Sequence, residues 1–462
     1  MDQTLVFDLN LIKRYDKSGP RYTSYPTAVQ FHDGFGDTEY RRWADRTSAR
    51  EGHAPLSLYF HIPFCDTVCY YCACNKVVTK DRTRAARYLE RLHKEIEIQG
   101  ALFDDRRPVE QLHWGGGTPT FISHEQMRDL MRVTGEHFTL CSDDSGEYSV
   151  EVDPREADRD TIALLREIGF TRLSLGVQDF DPRVQKAVNR IQSEAETWAV
   201  LDAARAEGFK SVSIDLIYGL PHQNQARWSE TLDKVIEHQP DRLSVFNYAH
   251  LPDLFKPQRR INAEELPLPA EKLDILQLTG ERLVKAGYVY IGMDHFARPD
   301  DELAVAQRGG TLYRNFQGYS THADCDLIGL GATAISQVGD SYAQNVREVE
   351  EYYDCLDQGR LPVFRGLELT ADDKLRRAVI TELICHFHLE FSHVETDFGI
   401  DFRDYFQGEL EDCLQLERDG LVALSADGIQ VQPAGRLLIR NVCMVFDRYL
   451  REGQERRFSK VI

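Results

Sequence analysis

Four cysteines, Cys65, Cys69, Cys72 and Cys74, lie close together in the amino-terminal part of the chain. The first three have the spacing C-x3-C-x2-C, and cysteine thiolates are the usual ligands of iron–sulfur clusters. Three thiolates on one loop can hold three irons of a cubane cluster, and the fourth iron stays open for chemistry because Cys74 follows too closely to reach it. Zinc binding or a group of buried thiols is the alternative. Zinc ligands tend to come as C-x2-C pairs from two parts of a chain, and the sequence has no second pair.

A repeated strand–helix pattern begins at this cysteine loop. It predicts six strands, at Leu56–His61, Gln111–Trp114, Tyr148–Val152, Arg172–Val177, Ser211–Ile217 and Arg242–Asn247. Helical periodicity between consecutive strands implies right-handed crossovers and a parallel sheet. Six units are too few to close an eight-stranded barrel, so the expected fold is α/β, an open partial (β/α)6 barrel. A doubly wound open sheet is the alternative that the pattern leaves open.

Residues that could do chemistry follow or close each of these strands. In parallel sheets of either kind, sites form beyond the carboxyl ends of the strands. The residues at this edge are, in strand order, Cys65, Gly115–Thr118, Glu151, Gln178, Asp215 and Ala249. Their shared position predicts that they form one site.

Two of these motifs have a definite chemical use. Glycines 115–117 give a ligand close access to backbone N–H and C=O groups, because no Cβ intervenes; a tight strand-to-helix turn is the alternative. Glu151 can accept hydrogen bonds from ribose hydroxyls, or it is an ordinary charge at the barrel rim. Tyr59 and His61 share one face of the first strand, which places both at the cluster edge.

The segment before the first strand has a different character. Residues 1–50 contain the run PRYTSYPTA, in which two prolines disfavour regular structure. The segment is either an irregular arm packed on the surface or, as we expect, an arm over the active site. Arg21, Tyr22 and Tyr25 would then meet the substrate, and arginine suits bidentate contacts with carboxylates.

The segment after the barrel pattern is mostly helical. Residues 51–345 are expected to form the barrel, and residues 346–462 a C-terminal domain. In that domain, Leu421–Leu424 and Ile429–Val431 flank a turn and predict a hairpin, and a last helix is expected from Ala434 to Arg451. Helices with a small hairpin indicate a winged-helix-like domain, which we interpret as a packing or lid domain.

The composition narrows the class of protein. The chain has 462 residues, of which 42% are hydrophobic and 28% charged, with a formal net charge of −20. This acidic balance argues against nucleic-acid or membrane-surface partners, since both require a basic face. The other cysteines are scattered singly, as in a reduced cytosolic protein. We therefore expect a cytoplasmic protein with no signal peptide and no membrane span.

The motifs taken together resemble those of a known family. They are PRYTSYPTA, YFHIPFC…CYYCACNKVVTK, LHWGGGTPTF, LSLGVQDFDPRVQKAVNR, SIDLIYGLP, IGMDHFARPDDELA, RNFQGYSTHADCDLIGLG, YAQN and GRLLIRN. The cysteine loop is similar to the signature of radical S-adenosylmethionine (SAM) enzymes, and the whole set resembles the oxygen-independent coproporphyrinogen III oxidases. The related heme chaperone-like proteins share the cysteine core and GGGTP, but they usually lack the PRYTSYP arm and the C-x-C ending.

This resemblance implies two kinds of cofactor and the residues that bind them. Cys65, Cys69 and Cys72 would ligate a 4Fe–4S cluster, and Cys74 would not. One SAM would bind the open iron, with Tyr59, Gly116, Glu151 and Ile335 around it. A second SAM would lie near Tyr71, Gly117, Thr118, Gln178, Arg190, Asp215 and Ala249. The residues expected to take part in catalysis are Tyr59, His61 and Arg190.

The resemblance also implies the reaction. The reduced cluster would cleave SAM to methionine and a 5′-deoxyadenosyl radical, which abstracts a β-hydrogen from a propionate of coproporphyrinogen III. Loss of carbon dioxide and one electron leaves a vinyl group, and two such rounds give protoporphyrinogen IX in heme biosynthesis. An electron donor and an electron acceptor are required and stay unidentified, and we expect a monomer.

Four substrate carboxylates need cationic partners, and the candidates are Arg21, Lys76, Arg298 and Arg314.

Two other functions stay open at this point. A heme chaperone built on the same core would bind the cluster and SAM without decarboxylating a substrate. An electron-transfer protein would use the cluster alone, although an iron left open for chemistry argues against it.

Overall fold

The computed structural model describes residues 5–49 and 54–453. The expected boundary between arm and barrel, at residues 50 and 51, lies outside these ranges, as does the end of the C-terminal domain. Over the described part of the chain, every helix is too short or too polar to cross a membrane.

The N-terminal segment contains two helices, α1 (Leu9–Tyr15) and α2 (Asp37–Ser48), and a 3-10 turn at Ala28–Gln30. Helix α1 begins after Asp8, whose carboxylate accepts hydrogen bonds from backbone N–H groups of the first turn. The PRYTSYPTA run between the two helices forms neither helix nor strand before that 3-10 turn, as its prolines predict.

The barrel consists of alternating strands and helices. In chain order they are β1 (Leu56–Ile62), β2 (Phe64–Cys65), β3 (Val77–Val78), α3 (Thr83–Gly100), β4 (Pro108–Gly116), α4 (His124–His137), β5 (Thr139–Leu140), β6 (Glu147–Val152), α5 (Arg159–Glu167), β7 (Arg172–Gln178), α6 (Pro182–Ala187), α7 (Glu194–Ala206), β8 (Ser211–Tyr218), α8 (Gln225–His238), β9 (Arg242–Asn247) and α9 (Pro269–Lys285). The six predicted strands are β1, β4, β6, β7, β8 and β9.

These six strands are neighbours in one sheet, in the order β9–β8–β7–β6–β4–β1, and each pairing is parallel. The order follows the chain without reversal. A doubly wound sheet reverses its strand order at a switch point, so the structure excludes that alternative. The predicted partial (β/α)6 barrel is confirmed.

The sheet continues beyond the sixth unit at both edges. The elements in this part of the chain are β10 (Val289–Gly292), β11 (His295–Ala297), α10 (Glu302–Gly309), β12 (Tyr313–Asn315), β13 (Gly318–Ser320), β14 (Asp326–Leu330), β15 (Ile335–Val338), β16 (Ser341–Asn345), α11 (Val349–Asp357) and β17 (Val363–Glu368). Strands β10 and β11 extend the sheet beside β9, and β12 and β13 form a separate two-stranded sheet. Strand β14 lies parallel beside β1, and β15 to β17 follow it as an antiparallel extension. The sheet therefore ends at Glu368, whereas the sequence pattern placed the barrel's end at residue 345.

The C-terminal segment is mostly helical, with a small sheet. Its elements are α12 (Ala371–His386), β18 (His388–Glu390), α13 (Phe391–Phe398), α14 (Phe402–Tyr405), α15 (Gln407–Arg418), β19 (Val422–Leu424), β20 (Gly428–Val431), α16 (Pro433–Arg436), α17 (Ile439–Val445) and α18 (Arg448–Arg451). Strands β19 and β20 form the expected hairpin, and β18 adds a third strand.

The expected last helix is instead three short ones. The break before α18 has a local cause, because the carboxylate of Asp447 accepts hydrogen bonds from the N–H groups of Tyr449 and Leu450 and so caps a new helix. The same carboxylate accepts a hydrogen bond of 2.9 Å from the Tyr22 hydroxyl. The helix is therefore interrupted where the N-terminal arm packs against it.

Candidate active site

The cysteine loop is closed at its base by backbone pairing. Strands β2 and β3 lie parallel, and the N–H of Val77 donates to the carbonyl of Pro63 at 2.7 Å. Cys65 is buried at this base, whereas Cys69 and Cys72 are partly exposed farther along the loop. The loop is thus a fixed turn that carries three thiols at the carboxyl end of β1.

Cations and a hydroxyl face these thiols. The guanidinium groups of Arg190 and Arg155 approach the Cys69 sulfur at 3.6 and 3.8 Å, and both form ion pairs with Asp153. The Thr118 hydroxyl lies 3.7 Å from the Cys65 sulfur. Such donors stabilise the negative charge of thiolates and of cluster sulfur, and they are a means of tuning an iron–sulfur cluster.

The thiols differ in their acidity. A hydrogen bond from Cys74 and the nearby Lys76 ammonium lower the pKa of Cys72 to about 6, although burial acts against them. Burial raises the pKa of Cys65 to about 12.

The three loop thiols are not grouped tightly enough for a single metal ion. Within the described ranges, their sulfur atoms do not all lie within 4.8 Å of one another. A single tetrahedral zinc ion, at about 2.3 Å from each sulfur, requires a tighter group. A cubane cluster has a separate iron for each thiolate and accommodates the wider spacing.

A cavity of about 780 Å³ opens at the same edge of the sheet. All four residues expected around the first SAM line it: Tyr59, Gly116, Glu151 and Ile335. The remaining lining residues are His61, Ala73, Cys74, Asn75, His113, Leu254, Phe255, Phe316, Gln317, Leu327, Thr333, Ala334, Gln344 and Arg347. None of them belongs to the described part of the N-terminal arm.

The tyrosine and histidine of β1 form a hydrogen-bonded pair on the cavity wall. The Tyr59 hydroxyl lies 3.1 Å from Nδ1 of His61, and Nε2 of His61 lies 3.0 Å from the carbonyl oxygen of Asn75. A carbonyl only accepts, so Nε2 carries the proton and Nδ1 accepts from the tyrosine. Burial lowers the pKa of His61, which keeps the ring neutral.

Glu151 is held as a carboxylate beside the glycine turn. The Gly116 N–H donates to Oε2 at 3.1 Å, and Nε2 of His113 lies 3.4 Å from Oε1. Burial acts to raise the pKa of Glu151, but the hydrogen bond and charge of His113 and the Gly116 N–H outweigh it, so the pKa lies below its usual range. An ionised carboxylate is a strong acceptor for hydroxyl groups.

His113 lies within the LHWGGGTPTF motif, but it was not among the residues expected at the site. Its ring stacks on Tyr59 at 5.8 Å between centroids, and its Nδ1 lies 2.6 Å from the Ser149 hydroxyl. Tyr59 and His113 are direct partners in the β1–β4 pairing. The signal was present in the sequence, because a period of two from the glycine turn back along β4 reaches His113.

The residues expected around a second SAM lie elsewhere at this edge. Arg190 donates to the Gly176 carbonyl, and Gln178, with a positive φ of 70°, holds a buried Oε1 that has no hydrogen bond. Asp215 pairs with Gly176 across β7 and β8, and burial with the Glu151 charge raises its pKa to about 6. The remaining members are Tyr71 on the cysteine loop, Gly117 and Thr118 in the glycine turn, and Ala249 after β9. No member of this set lines the 780 Å³ cavity.

Comparisons with known proteins agree with this architecture. The model of the Radical SAM superfamily matches residues 59–235, and that of the HemN C-terminal domain matches residues 369–438. The chain is 58% identical over its whole length to the oxygen-independent coproporphyrinogen III oxidase of Pseudomonas aeruginosa, covering all of it. It is 51% identical to that of Escherichia coli, covering 100% of this chain and 99% of the other. The chain belongs to the oxygen-independent coproporphyrinogen III oxidase family.

A solved structure in this family supports the fold. The coproporphyrinogen III oxidase from Escherichia coli, described as a radical SAM enzyme, superposes with a TM-score of 0.92 and 51% identity over 97% of this chain and 100% of the other. Membership in the radical SAM superfamily implies a 4Fe–4S cluster and SAM as cofactors. The three cysteines, the cationic surroundings of Cys69 and the ionised Glu151 fit that requirement.

The four cations suggested as partners of substrate carboxylates have different positions in this family member. Arg298 lies with Ser211 and Arg242, at the amino-terminal ends of β8 and β9. That is the edge of the sheet opposite the cysteine loop, so this part of the hypothesis is wrong. The Lys76 ammonium donates to the carbonyls of Cys72 and Cys74, and so it stabilises the loop itself.

The other two cations lie at the N-terminal arm, Arg21 within it and Arg314 against it. Arg21 forms an ion pair with Asp294. Arg314 is 8% exposed, and its Nε and Nη1 have no hydrogen-bond partner. Tyr22 and Tyr25 are buried in the same region, where they line a small cavity with Arg314.

Proposed function

We propose that this chain catalyses the oxygen-independent oxidative decarboxylation of coproporphyrinogen III to protoporphyrinogen IX in heme biosynthesis. Full-length membership in the oxidase family supports the reaction. The observation that carries its assignment to this site is the 780 Å³ cavity at the cysteine-loop edge, lined by the residues expected around SAM. Its volume lies within the roughly 300–1,000 Å³ of pockets that enclose small ligands.

The cofactors are assigned to residues of this edge. We assign the 4Fe–4S cluster to Cys65, Cys69 and Cys72. We assign one SAM to Tyr59, Gly116, Glu151 and Ile335. When bound, the cluster and SAM supply a 5′-deoxyadenosyl radical, which abstracts a hydrogen from the β-carbon of a substrate propionate.

In this proposal, the residues of the cavity wall bind and orient SAM. The ionised Glu151 accepts hydrogen bonds from ribose hydroxyls, while the Gly116 N–H and His113 keep its carboxylate in place. The Tyr59 hydroxyl donates to His61, so its oxygen lone pairs stay available to an amino group. The guanidinium of Arg190 faces the Cys69 sulfur and stabilises the charge of the liganded thiolate. These contacts support catalytic roles for Tyr59, His61 and Arg190.

A second SAM is part of the proposal. Its binding group comprises Tyr71, Gly117, Thr118, Gln178, Arg190, Asp215 and Ala249. The buried Oε1 of Gln178 supports it, because a polar atom without a partner is costly unless a ligand satisfies it.

Two arginines in or next to the cavity wall are additional candidates for binding substrate carboxylates. Arg347 lines the cavity and is exposed. Arg365 donates from Nε at 2.7 Å to the side chain of Gln344, which lines the cavity. A propionate carboxylate would form charge-assisted hydrogen bonds with such guanidinium groups. Arg314 and Arg21 stay as further candidates, and neither lines the cavity.

The arm and the C-terminal segment have structural roles in this proposal. Residues 1–50 would act as the arm over the site, residues 51–345 as the barrel, and residues 346–462 as the C-terminal domain. Within the arm, Phe31 packs edge-on against Phe316 at 6.4 Å between centroids, and Phe316 lines the cavity. The arm thus packs against a residue of the cavity wall. The electron donor and acceptor are separate partners, and the acting species is a monomer of the cytoplasm.

An anaerobic turnover assay tests the proposal. The cluster is reconstituted, reductant, SAM and coproporphyrinogen III are added, and vinyl product and 5′-deoxyadenosine are followed. Both products are expected in the wild type, and both should vanish in Cys69→Ala. Cys355→Ser, a replacement of a cysteine far along the chain, should retain both.

Other outcomes distinguish the competing functions. If 5′-deoxyadenosine forms without vinyl product, even with a range of electron acceptors, the chain is a radical SAM enzyme with another substrate. If neither product forms and heme binds tightly, the chain is a heme chaperone.

A further inference from the structure

A second group of metal-ligand side chains lies away from the cysteine loop. One ligand atom from each of Glu110, His322 and Cys325 lies within 4.8 Å of the other two, and in residues 5–49 and 54–453 no other such trio meets at this distance. Glu110 is near the start of β4, and the other two precede β14. The group therefore lies at the amino-terminal edge of the sheet, opposite the candidate active site.

The histidine of this group is placed between two carboxylates. Its Nδ1 is 3.5 Å from an oxygen of Glu110, and its Nε2 is 3.9 Å from Oε2 of Glu147 at the start of β6. A metal-ligating histidine almost always donates its other ring N–H to a carboxylate or carbonyl, which fixes the tautomer. Glu147 occupies that position for a histidine that ligates through Nδ1.

Glu147 is only partly satisfied by its other neighbours, because its Oε2 lies 3.9 Å from Nε of Arg172, beyond hydrogen-bond distance. It is 8% exposed, and its Oε1 accepts a hydrogen bond of 2.9 Å from Gln111, but its Oε2 has none. A buried anionic oxygen without a donor is costly, and the N–H of a metal-bound His322 would satisfy it.

We propose that Glu110, His322 and Cys325 bind a divalent transition metal of the zinc class, with Glu147 orienting the histidine. Oxygen, nitrogen and sulfur donors together suit zinc, whereas magnesium and calcium take oxygen ligands. A water molecule completes the tetrahedron. The ion joins β4 to the segment before β14, and these strands flank β1 on its two sides. Its role is to hold the amino-terminal end of the barrel together.

The experiment must exclude zinc bound by the cluster thiols. Full-length protein is therefore used in two forms, one with the reconstituted cluster and one in which Cys65, Cys69 and Cys72 are all replaced by serine. Each is dialysed against buffered zinc, and zinc per chain is measured by mass spectrometry. Absorption at the zinc X-ray edge, which iron does not obscure, reports the ligands. One zinc per chain is expected in both forms, with one sulfur and otherwise oxygen or nitrogen ligands.

Variants of the new group give the decisive comparison. Cys325→Ser and His322→Ala are expected to lose the zinc, and Glu147→Gln to bind it about 10- to 100-fold more weakly. Cys355→Ser, which removes a partly exposed cysteine elsewhere, is expected to retain it. His322→Cys supplies another zinc ligand at the same place, and it should bind more zinc than His322→Ala if both fold.

Two results would overturn the site. The first is a wild type that retains no zinc in either form. The second is zinc that stays with Cys325→Ser, with no sulfur among its ligands. Neither result bears on the decarboxylation assay, because the cluster thiols and the cavity lie at the opposite edge of the sheet.

Discussion

His113 contacts two residues that were expected at the site, Glu151 and Tyr59. It hydrogen-bonds Glu151 and stacks on Tyr59, and the Ser149 hydroxyl fixes its other nitrogen. The acidity of Glu151 follows from this arrangement, because burial alone would raise its pKa. A residue that was not among those expected at the site thus keeps the Glu151 carboxylate charged.

Replacement of His113 by phenylalanine tests this dependence. The substitution keeps a ring beside Tyr59 and removes the hydrogen bond to Glu151. A hydrogen bond to a charged group contributes about 1.5–3 kcal/mol, so SAM affinity should fall roughly 10- to 150-fold. Calorimetric titration of SAM into the reconstituted protein measures it, and the iron content should not change. His238→Phe is the matched control, because His238 also stacks on an aromatic ring, that of Trp198, away from the cavity. Unchanged SAM affinity in His113→Phe would contradict the proposal.

The residues expected around the first SAM came from the family resemblance, and the strand pattern accounts for only some of them. Glu151 lies near the end of its predicted strand and Gly116 just after its own, and a parallel sheet brings such ends together, whereas Ile335 lies beyond the sixth strand. Arg347 and Phe316 also line the cavity, but they come from segments after the sixth strand. Their approach depends on how the sheet extends beyond β1, which no local pattern specifies.

At the scale of elements, the glycine turn and the cysteine loop form one unit. The N–H of Gly117 donates to the Ile62 carbonyl at 2.9 Å, and that of Thr118 donates to the Phe64 carbonyl at 2.8 Å. A Cβ on Gly117 would lie 2.6 Å from the Phe64 carbonyl oxygen. Glycine is required there because two backbones meet, and this close approach holds the cysteine loop against the glycine turn.

Gly117→Ala should therefore disturb the cluster as well as the fold. The Cβ would push the turn away from the loop, and overpacking of this kind costs about 1–3 kcal/mol. We expect a lower melting temperature and less iron per chain after reconstitution. Gly309→Ala is the control, since a Cβ there meets open space and the residue is helical. Wild-type iron content and melting temperature in Gly117→Ala would show that this close contact determines neither the stability of the fold nor the cluster content.

Helix α3 is tied to the sheet extension by a buried carboxylate. Glu95 accepts hydrogen bonds of 2.7 Å from the Gly331 N–H, the Asn345 amide and the Tyr352 hydroxyl. Burial raises its pKa from the usual 4.5 to about 7. Between these two pKa values the native state binds more protons than the unfolded state, so stability falls as the pH rises.

Glu95→Gln should remove this part of the pH dependence. In the wild type, the free energy of unfolding should fall by up to about 1.4 kcal/mol per pH unit between about pH 4.5 and 7 from this group alone. Urea unfolding across that range measures the slope, and the variant should show a flatter one. Glu90→Gln, on the exposed face of the same helix, should keep the wild-type slope. Equal slopes in wild type and Glu95→Gln would exclude a raised pKa for Glu95.

The elements themselves were predicted to different extents. Five of the six barrel strands were found to within one residue at each end, because each is a short apolar run between clear helices. Strand β4 is longer than its predicted range at both ends. Strands β14 to β17 were missed as part of the sheet, because they are short and follow a loop-rich stretch. One of their close contacts, between Gly329 and the backbone of Ile335, has no sequence signature beyond the glycine.

At the scale of the whole molecule, the two ends of the chain form one structure. The carbonyls of Gly19 and Pro20 accept hydrogen bonds from Arg440 on α17, and the Tyr15 hydroxyl donates to Asp419 at 2.5 Å. The sequence predicted the arm and the C-terminal domain separately. Contacts between residues about 400 positions apart have no periodicity, so their pairing was not predictable.

Arg440→Ala should loosen the arm. Arg440 is 4% exposed, and burial with the nearby charge of Arg21 lowers its pKa only to about 10, so it is charged at neutral pH. Its loss leaves the buried carbonyls of Gly19 and Pro20 without their donor, at a cost of about 1–3 kcal/mol for each such group. We expect a lower melting temperature and faster proteolysis within residues 16–27.

Arg403→Ala is the matched control for this prediction. Arg403 also donates to two backbone carbonyls, those of Ser425 and Ala426 at 2.7 and 2.9 Å, but this contact is exposed. Water can replace the guanidinium there, so stability should change by no more than about 0.5 kcal/mol. Limited proteolysis with mass mapping of the cut sites separates the two variants. If both variants are cleaved in the arm at the wild-type rate, Arg440 does not hold the arm in place, and the arm must be fixed by its aromatic contacts instead.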